Sequence, residues 1–172
     1  ITSGLKKTVV SFAPGIYKIN DHIDMKSNLV MQGNNTVFAS SDTNDYIMTA
    51  GPTVKNIKIS GFTTRYTRVN SVRQPNISAI FIRECDSLEI TQNRILGAPG
   101  MGMQIIACKT VRITENWVER TLADGIHITN GLNTDTGRNI WSQDFVITDN
   151  TVINTGDDHI AVVSYQRPVP NA

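Results

Sequence analysis

The chain has 172 residues, 40% of them apolar, enough for one domain with a sizeable core. Only 18% are charged and the formal net charge is +1, with no block of Lys or Arg and no basic amphipathic helix, which excludes the clustered basic surface of a nucleic-acid binder. No run of about 18 apolar residues and no charged-then-apolar leader occurs, so neither a helical membrane span nor a signal peptide is visible.

In chain order, TVVSFAPGIYKI (8–19) reads as a strand, a Pro-Gly turn and another strand, and SNLVMQGNNTVFAS (27–40) as the next coil. VKNIKISGF (54–62) opens a repeat that returns as SLEITQNRI (87–95), TVRITENWV (110–118) and DFVITDNTV (144–152). A second strand accompanies these copies: SAIFIRE (78–84), GMGMQII (100–106), ADGIHIT (123–129) and DDHIAVV (157–163). Two stretches break the pattern, TTRYTRVNSVRQP (63–75) and GLNTDTGRNIW (131–141), and both predict loops that project from the repeat and border a groove.

The step from Ile80 to Met103 equals the step from Met103 to Ile126, and the step from Ile126 to Ile160 is one such period lengthened by the insertion at 131–141. Period-two alternation with β-branched enrichment predicts strands, and nothing shows a sustained helical period. Short strands recurring at this fixed period without hairpin turns predict a solenoid of stacked parallel strands, an all-β parallel β-helix over residues 1–172. Its lumen should hold one column of Ile80, Met103, Ile126 and Ile160 and a second of Ile82, Ile105, Ile128 and Val162. Asn93, Asn116 and Asn150 should form a structural ladder at a turn. Cys85 and Cys108 fall in register too and read as stacked buried thiols rather than a disulfide. The abrupt first and last residues suggest a fragment of a longer helix without its caps.

Gapless alignment of residues 118–128 with 152–162 places Asp124 over Asp158 and Ala123 over Asp157, so three carboxylates converge on two coils. Parallel strands lie about 4.8 Å apart, which stacks Asp124 nearly on Asp158. Like charges this close oppose joint ionisation, and a glycosidase needs one carboxyl to protonate a leaving oxygen and another to activate water. Asp135 also lies one uninterrupted period before Asp158, but polar TGRNIW follows it rather than an apolar alternation, which assigns it to the insertion. Alternation turns His127 outward beside the cluster; His159 shares that parity, and Gln104 and Arg83 lie on the outward face of preceding coils as candidate substrate contacts. Asp124 and Asp158 share the parity of core residues, so their exposure requires the turn before each strand to set their direction.

ADGIHI on one coil and NTGDDHIAV further along resemble the pectin-lyase-like right-handed β-helix superfamily, within it the polygalacturonase-type and α-1,3-glucanase-type glycoside hydrolases; TVVSFAPGIYKI resembles the opening motif of pectate-lyase-superfamily proteins, phage tailspike depolymerases included. The resemblance implies a right-handed single-stranded helix and an inverting hydrolase of polysaccharides without a cofactor. It makes Asp157 the general acid and gives Asp124 and Asp158 the water. The Gly-His-Gly and Arg-x-Lys motifs with which polygalacturonases bind a uronic acid do not occur here, and His159 stands where those enzymes commonly have Cys.

Two alternatives stay open. A tailspike or adhesin module would bind or depolymerise surface glycans, with a homotrimer as its assembly, although Trp117, Trp141, Tyr66 and Tyr165 form no in-register platform. A polysaccharide lyase would hold Ca²⁺ on the aspartates and need a basic residue beside them, for which Arg120 is the candidate. Each places the protein outside the cell, in the periplasm or on a virion.

Overall fold

Each coil has an apolar side that only its neighbours can cover, and the chain meets that need by winding. The computed structural model describes residues 6–68, 71–133 and 135–165, and every regular element among them is a strand. A six-stranded sheet takes one strand from each coil, in order Ile23–Asp24, Met48–Ala50, Ser78–Arg83, Met101–Ile106, Ile126–Thr129 and Ile160–Val163. The rest of each coil builds a ten-stranded sheet folded at a corner. There the 12-residue strands Leu29–Ser40 and Lys55–Tyr66 run through the bend, whereas later coils split into pairs such as Asp86–Thr91 and Arg94–Leu96. All ladders in both sheets are parallel.

The register matches the predicted columns. Ile80, Met103, Ile126 and Ile160 are successive partners, as are Ile82, Ile105, Ile128 and Val162, and the first column continues upstream through Met48 to Ile23. From Met48 to Ile128 the residues of these columns belong to one continuous core that runs from Met25 to Ile128. In the early coils Phe12, Phe38 and Phe62 cluster together, Phe38 stacked on Phe62 at 4.7 Å between ring centroids and Phe12 edge-on to both. On the last coil Ile160 and Val162 are 45% and 75% exposed, because no described strand lies over them.

Corners are where a parallel coil must turn without a hairpin. Gln92, Glu115 and Asp149, one per coil, take left-handed backbone angles with φ of 56°, 57° and 58°. The asparagine that follows each one stitches the bend to its neighbours. The Asn116 amide group donates to the carbonyls of Ile90 and Thr114, while its oxygen accepts from the Asn93 backbone N–H at 3.0 Å. Asn150 serves the Asn116 backbone N–H in the same way at 2.9 Å. Cys85 and Cys108 are buried, unbridged and in contact, the Cys85 backbone N–H pointing at the Cys108 sulfur. Burial pushes the Cys85 thiol up to about 12 and the Cys108 thiol up to about 11, which keeps both inert as nucleophiles near neutrality.

Two boundaries differ from the sequence reading. Residues 63–66 belong to the strand Lys55–Tyr66, with Thr64 and Tyr66 turned into the core, so the loop begins only at Thr67. Its charged Arg65 is the outward residue of an alternation that polar Thr residues disguise. The insertion at 131–141 contains a small antiparallel hairpin, Gly131–Leu132 against Asn139–Ile140.

Candidate active site

The strand Ile126–Thr129 begins just after Asp124 and Gly125, so Asp124 lies in the turn that leads the chain into the six-stranded sheet. Its neighbour Gly125 lets the next coil close down on that turn. A Cβ at Gly125 would sit 2.6 Å from the His159 carbonyl oxygen, which instead accepts the Ile126 N–H at 3.0 Å. Gly125 is therefore a packing requirement of the stack.

Asp124 is only 5% exposed, yet its carboxylate does not enter the lumen. One oxygen lies 2.5 Å from His127 Nδ1, and the other accepts the Asp158 backbone N–H at 3.2 Å. His127 alternates with the lumen residues Ile126 and Ile128 and so faces outward, carrying Asp124 with it. Above this buried pair stand the exposed side chains of Asp157 and Asp158, and one carboxylate oxygen from each of the three aspartates lies within 4.8 Å of the others. Asp157 is ion-paired with Arg73 at 2.6 Å, while the Asp158 side chain has no hydrogen-bond or ion-pair partner among the described residues.

The cluster adjoins a groove of about 480 Å³ through His127 and Arg73, which line it and hold Asp124 and Asp157, whereas the three carboxylates themselves are not among its lining residues. Gln104 and His127, partners on adjacent strands, form part of its floor, with Arg83 one coil further back. Both irregular segments wall it, the first through Arg73, Pro75 and Asn76 and the hairpin through Gly131 and Leu132. Tyr165 covers His127, its ring stacked at 6.4 Å between centroids. Asn130 holds that tyrosine by the backbone, accepting its N–H at 2.7 Å and donating to its carbonyl at 3.0 Å.

A model of the right handed beta helix region matches residues 10–167. The chain belongs to the right-handed β-helix family. No curated protein sequence matches this β-helix. Among solved structures it is similar to a protein from Parabacteroides merdae described as a candidate glycosyl hydrolase, at 13% identity and a TM-score of 0.51, covering 92% of this chain and 81% of that one. At that identity the likeness concerns the fold alone, and it agrees with the parallel β-helix expected from the repeat.

Of the seven residues singled out from the sequence, the β-helix brings Asp124, Asp157 and Asp158 together and lines the adjoining groove with His127, Gln104 and Arg83. His159 is exposed and not part of the groove lining, because it sits opposite Gly125 on the turn rather than on the strand face. Arg120 is no base for the cluster: it pairs with Glu119 at 2.9 Å and borders a different depression. The basic residue at the cluster is Arg73, which reaches Asp157 across 84 positions of sequence. Asp135 lies exposed in the hairpin, outside the cluster, as the polar residues after it required.

Proposed function

We propose that this β-helix hydrolyses glycosidic bonds in a polysaccharide bound along the groove, with Asp124, Asp157 and Asp158 supplying the acid and the base. The observation that carries the reading is the three-carboxylate cluster on two adjacent turns, beside a groove walled by both insertions. In this reading Asp124, held by His127 and by the Asp158 N–H, orients the attacking water and takes its proton. The resemblance gives the acid role to Asp157. The Arg73–Asp157 ion pair favours Asp158 instead, because its carboxyl is exposed and free of partners among the described residues. Carboxyl groups of inverting enzymes are typically about 6.5–9.5 Å apart and those of retaining enzymes about 5–5.5 Å. With nearest oxygens inside 4.8 Å, inversion rests on the family resemblance, and the anomer of the first product decides it.

A lyase is the second reading, favoured by one observation. Three carboxylate oxygens within 4.8 Å of one another could hold a hard cation such as Ca²⁺, and Arg73 stands beside them as a basic group. The two readings separate in one experiment, reducing-end release from a panel of neutral and acidic polysaccharides with and without a chelator. Hydrolysis survives chelation and yields products without the ultraviolet absorbance of an unsaturated sugar. Unchanged turnover in all of Asp124→Asn, Asp157→Asn and Asp158→Asn would remove the cluster from the chemistry altogether. A polymer substrate suits a protein that works outside the cell, in the periplasm or on a virion surface.

A further inference from the structure

The arginines of the catalytic groove are already satisfied, Arg73 by Asp157 and Arg83 by Glu84 at 2.8 Å. A different situation holds on the outer face of the ten-stranded sheet. Two depressions of about 430 Å³ and 400 Å³ adjoin there and share Arg65. Lys18 lines one and Arg68 the other, and no Asp or Glu lines either. Lys18, Arg65 and Arg68 are exposed and have no ion-pair or hydrogen-bonded partner among the described residues. Lys18, Ala39 and Arg65 are successive partners in register, which sets the two cations two strand spacings apart along the solenoid axis, roughly 10 Å.

We infer that this strip, built by Lys18, Arg65 and Arg68, binds an anionic polysaccharide lying along the axis. Cations repeated along the axis match charges repeated along a polymer better than they match one small anion. Carboxylate and sulfate groups both suit a guanidinium, which presents paired N–H donors to two oxygens. Leu96, Pro99 and Leu122 give the larger depression an apolar wall for the C–H face of a sugar ring. A nucleic acid fits less well. Base stacking needs an exposed aromatic platform, and the single aromatic ring in the two linings, Tyr66, is buried with its hydroxyl donating to the Asp45 carbonyl. Arg68 borders the depression and Arg73 the groove, and the Gln74 N–H donates to the carbonyl of Pro99, a wall residue of the depression, at 2.7 Å. Binding at the strip does not depend on the hydrolase reading.

Affinity electrophoresis in dextran, polygalacturonate or dextran sulfate, with a single-stranded oligonucleotide as competitor, tests the strip without using turnover. Polygalacturonate or dextran sulfate should retard the protein at least about tenfold more strongly than dextran, an advantage lost in Arg65→Gln/Arg68→Gln, kept in Arg65→Lys/Arg68→Lys and weakened by salt. Asp124→Asn should bind like the parent, so loss of hydrolysis and loss of the strip are read separately. Equal retardation in dextran and in both anionic polymers, full retention of binding in the double glutamine variant, or displacement by the oligonucleotide at equal charge concentration would each overturn the inference.

Discussion

Turns at opposite ends of the stack carry acids beside a histidine, and only one of them has the makings of a site. Asp21 and His22 precede Ile23 as Asp158 and His159 precede Ile160, and Ile23 and Ile160 belong to the same lumen column. At the first end His22 Nδ1 lies 3.2 Å from either oxygen of Asp45 and 3.0 Å from Asp21, three groups set as closely as the three aspartates at the second. Yet the Asp21 side chain is 84% exposed, and none of the described grooves touches Asp21, His22 or Asp45, whereas at the second end His127 and Arg73 line one, although the carboxylates they hold do not. The contrast separates two causes of an aspartate before a strand. The turn tolerates Asp wherever it occurs, because a short carboxylate bonds the local backbone. What distinguishes the second end is the buried Asp124–His127 pair, the walls supplied by two insertions and the tyrosine that closes the top.

The largest expected effect follows from that difference. Asp124→Asn keeps the shape of the turn and its acceptor for the Asp158 N–H, but removes the charge beneath the cluster. Reducing-end release should fall by about 10²–10⁴-fold, the usual contribution of a positioned acid or base. The far-ultraviolet spectrum should stay that of a folded β-helix, and a loss of under about tenfold would make the two ends equivalent.

Next comes the histidine. His127 and Asp124 are both nearly sealed from solvent, so His127→Ala leaves a buried carboxylate without its partner, at a cost of about 1–3 kcal/mol. The counterpart His22→Ala breaks a surface ion pair and should change stability by less than about 0.5 kcal/mol. Thermal or denaturant midpoints of the two variants, measured side by side, test whether burial rather than composition distinguishes the ends. His127→Gln, which can still donate to Asp124, should recover part of the loss.

Much of this contrast was legible in the sequence, for a definite reason. Each lumen column needs an apolar residue at a fixed step, so Ile80, Met103, Ile126 and Ile160 announce the register, and the register places Asp124 beside Asp158. The corners announce themselves only through Asn93, Asn116 and Asn150. Gln92, Glu115, Ser87 and Thr110 also adopt left-handed angles, but such residue types carry no preference for them that a reader could use. The early coils are hidden because their steps vary: Val30 pairs with Lys58 and Lys58 with Glu89, each a wider step than the one from Glu89 to Arg112 that follows. Contacts made by loops were out of reach for a different reason. Arg73 meets Asp157, and Tyr165 covers His127, through folding of irregular segments that follow no period.

Arg73→Gln sharpens the comparison from the outside, since among the described residues no loop arginine pairs with the acids of the first end. Freed from its ion pair, Asp157 should no longer be held toward the loop. If Asp158 is the acid, turnover per bound substrate changes only a few-fold and the loss falls mainly on KM, consistent with the modest worth of an exposed pair. A fall in kcat comparable to that of Asp124→Asn would return the acid role to Asp157.

The smallest effect is expected at the first end. Asp21→Asn/Asp45→Asn removes both carboxylates from His22 and leaves the backbone free to make the same turn, because asparagine bonds the local N–H groups as aspartate does. Neither side chain touches the groove, and the strand Ile23–Asp24 lies four coils from Ile126–Thr129 in the six-stranded sheet. Over that separation, through a solvent-exposed surface, a lost charge is largely screened at ordinary ionic strength. Turnover on any polysaccharide that the parent degrades should stay within about twofold, and the thermal midpoint should barely move, the weak attraction to His22 being the sole loss. A drop matching Asp124→Asn would mean that chemistry follows the acid-bearing turn itself and that the buried pair and its walls are incidental.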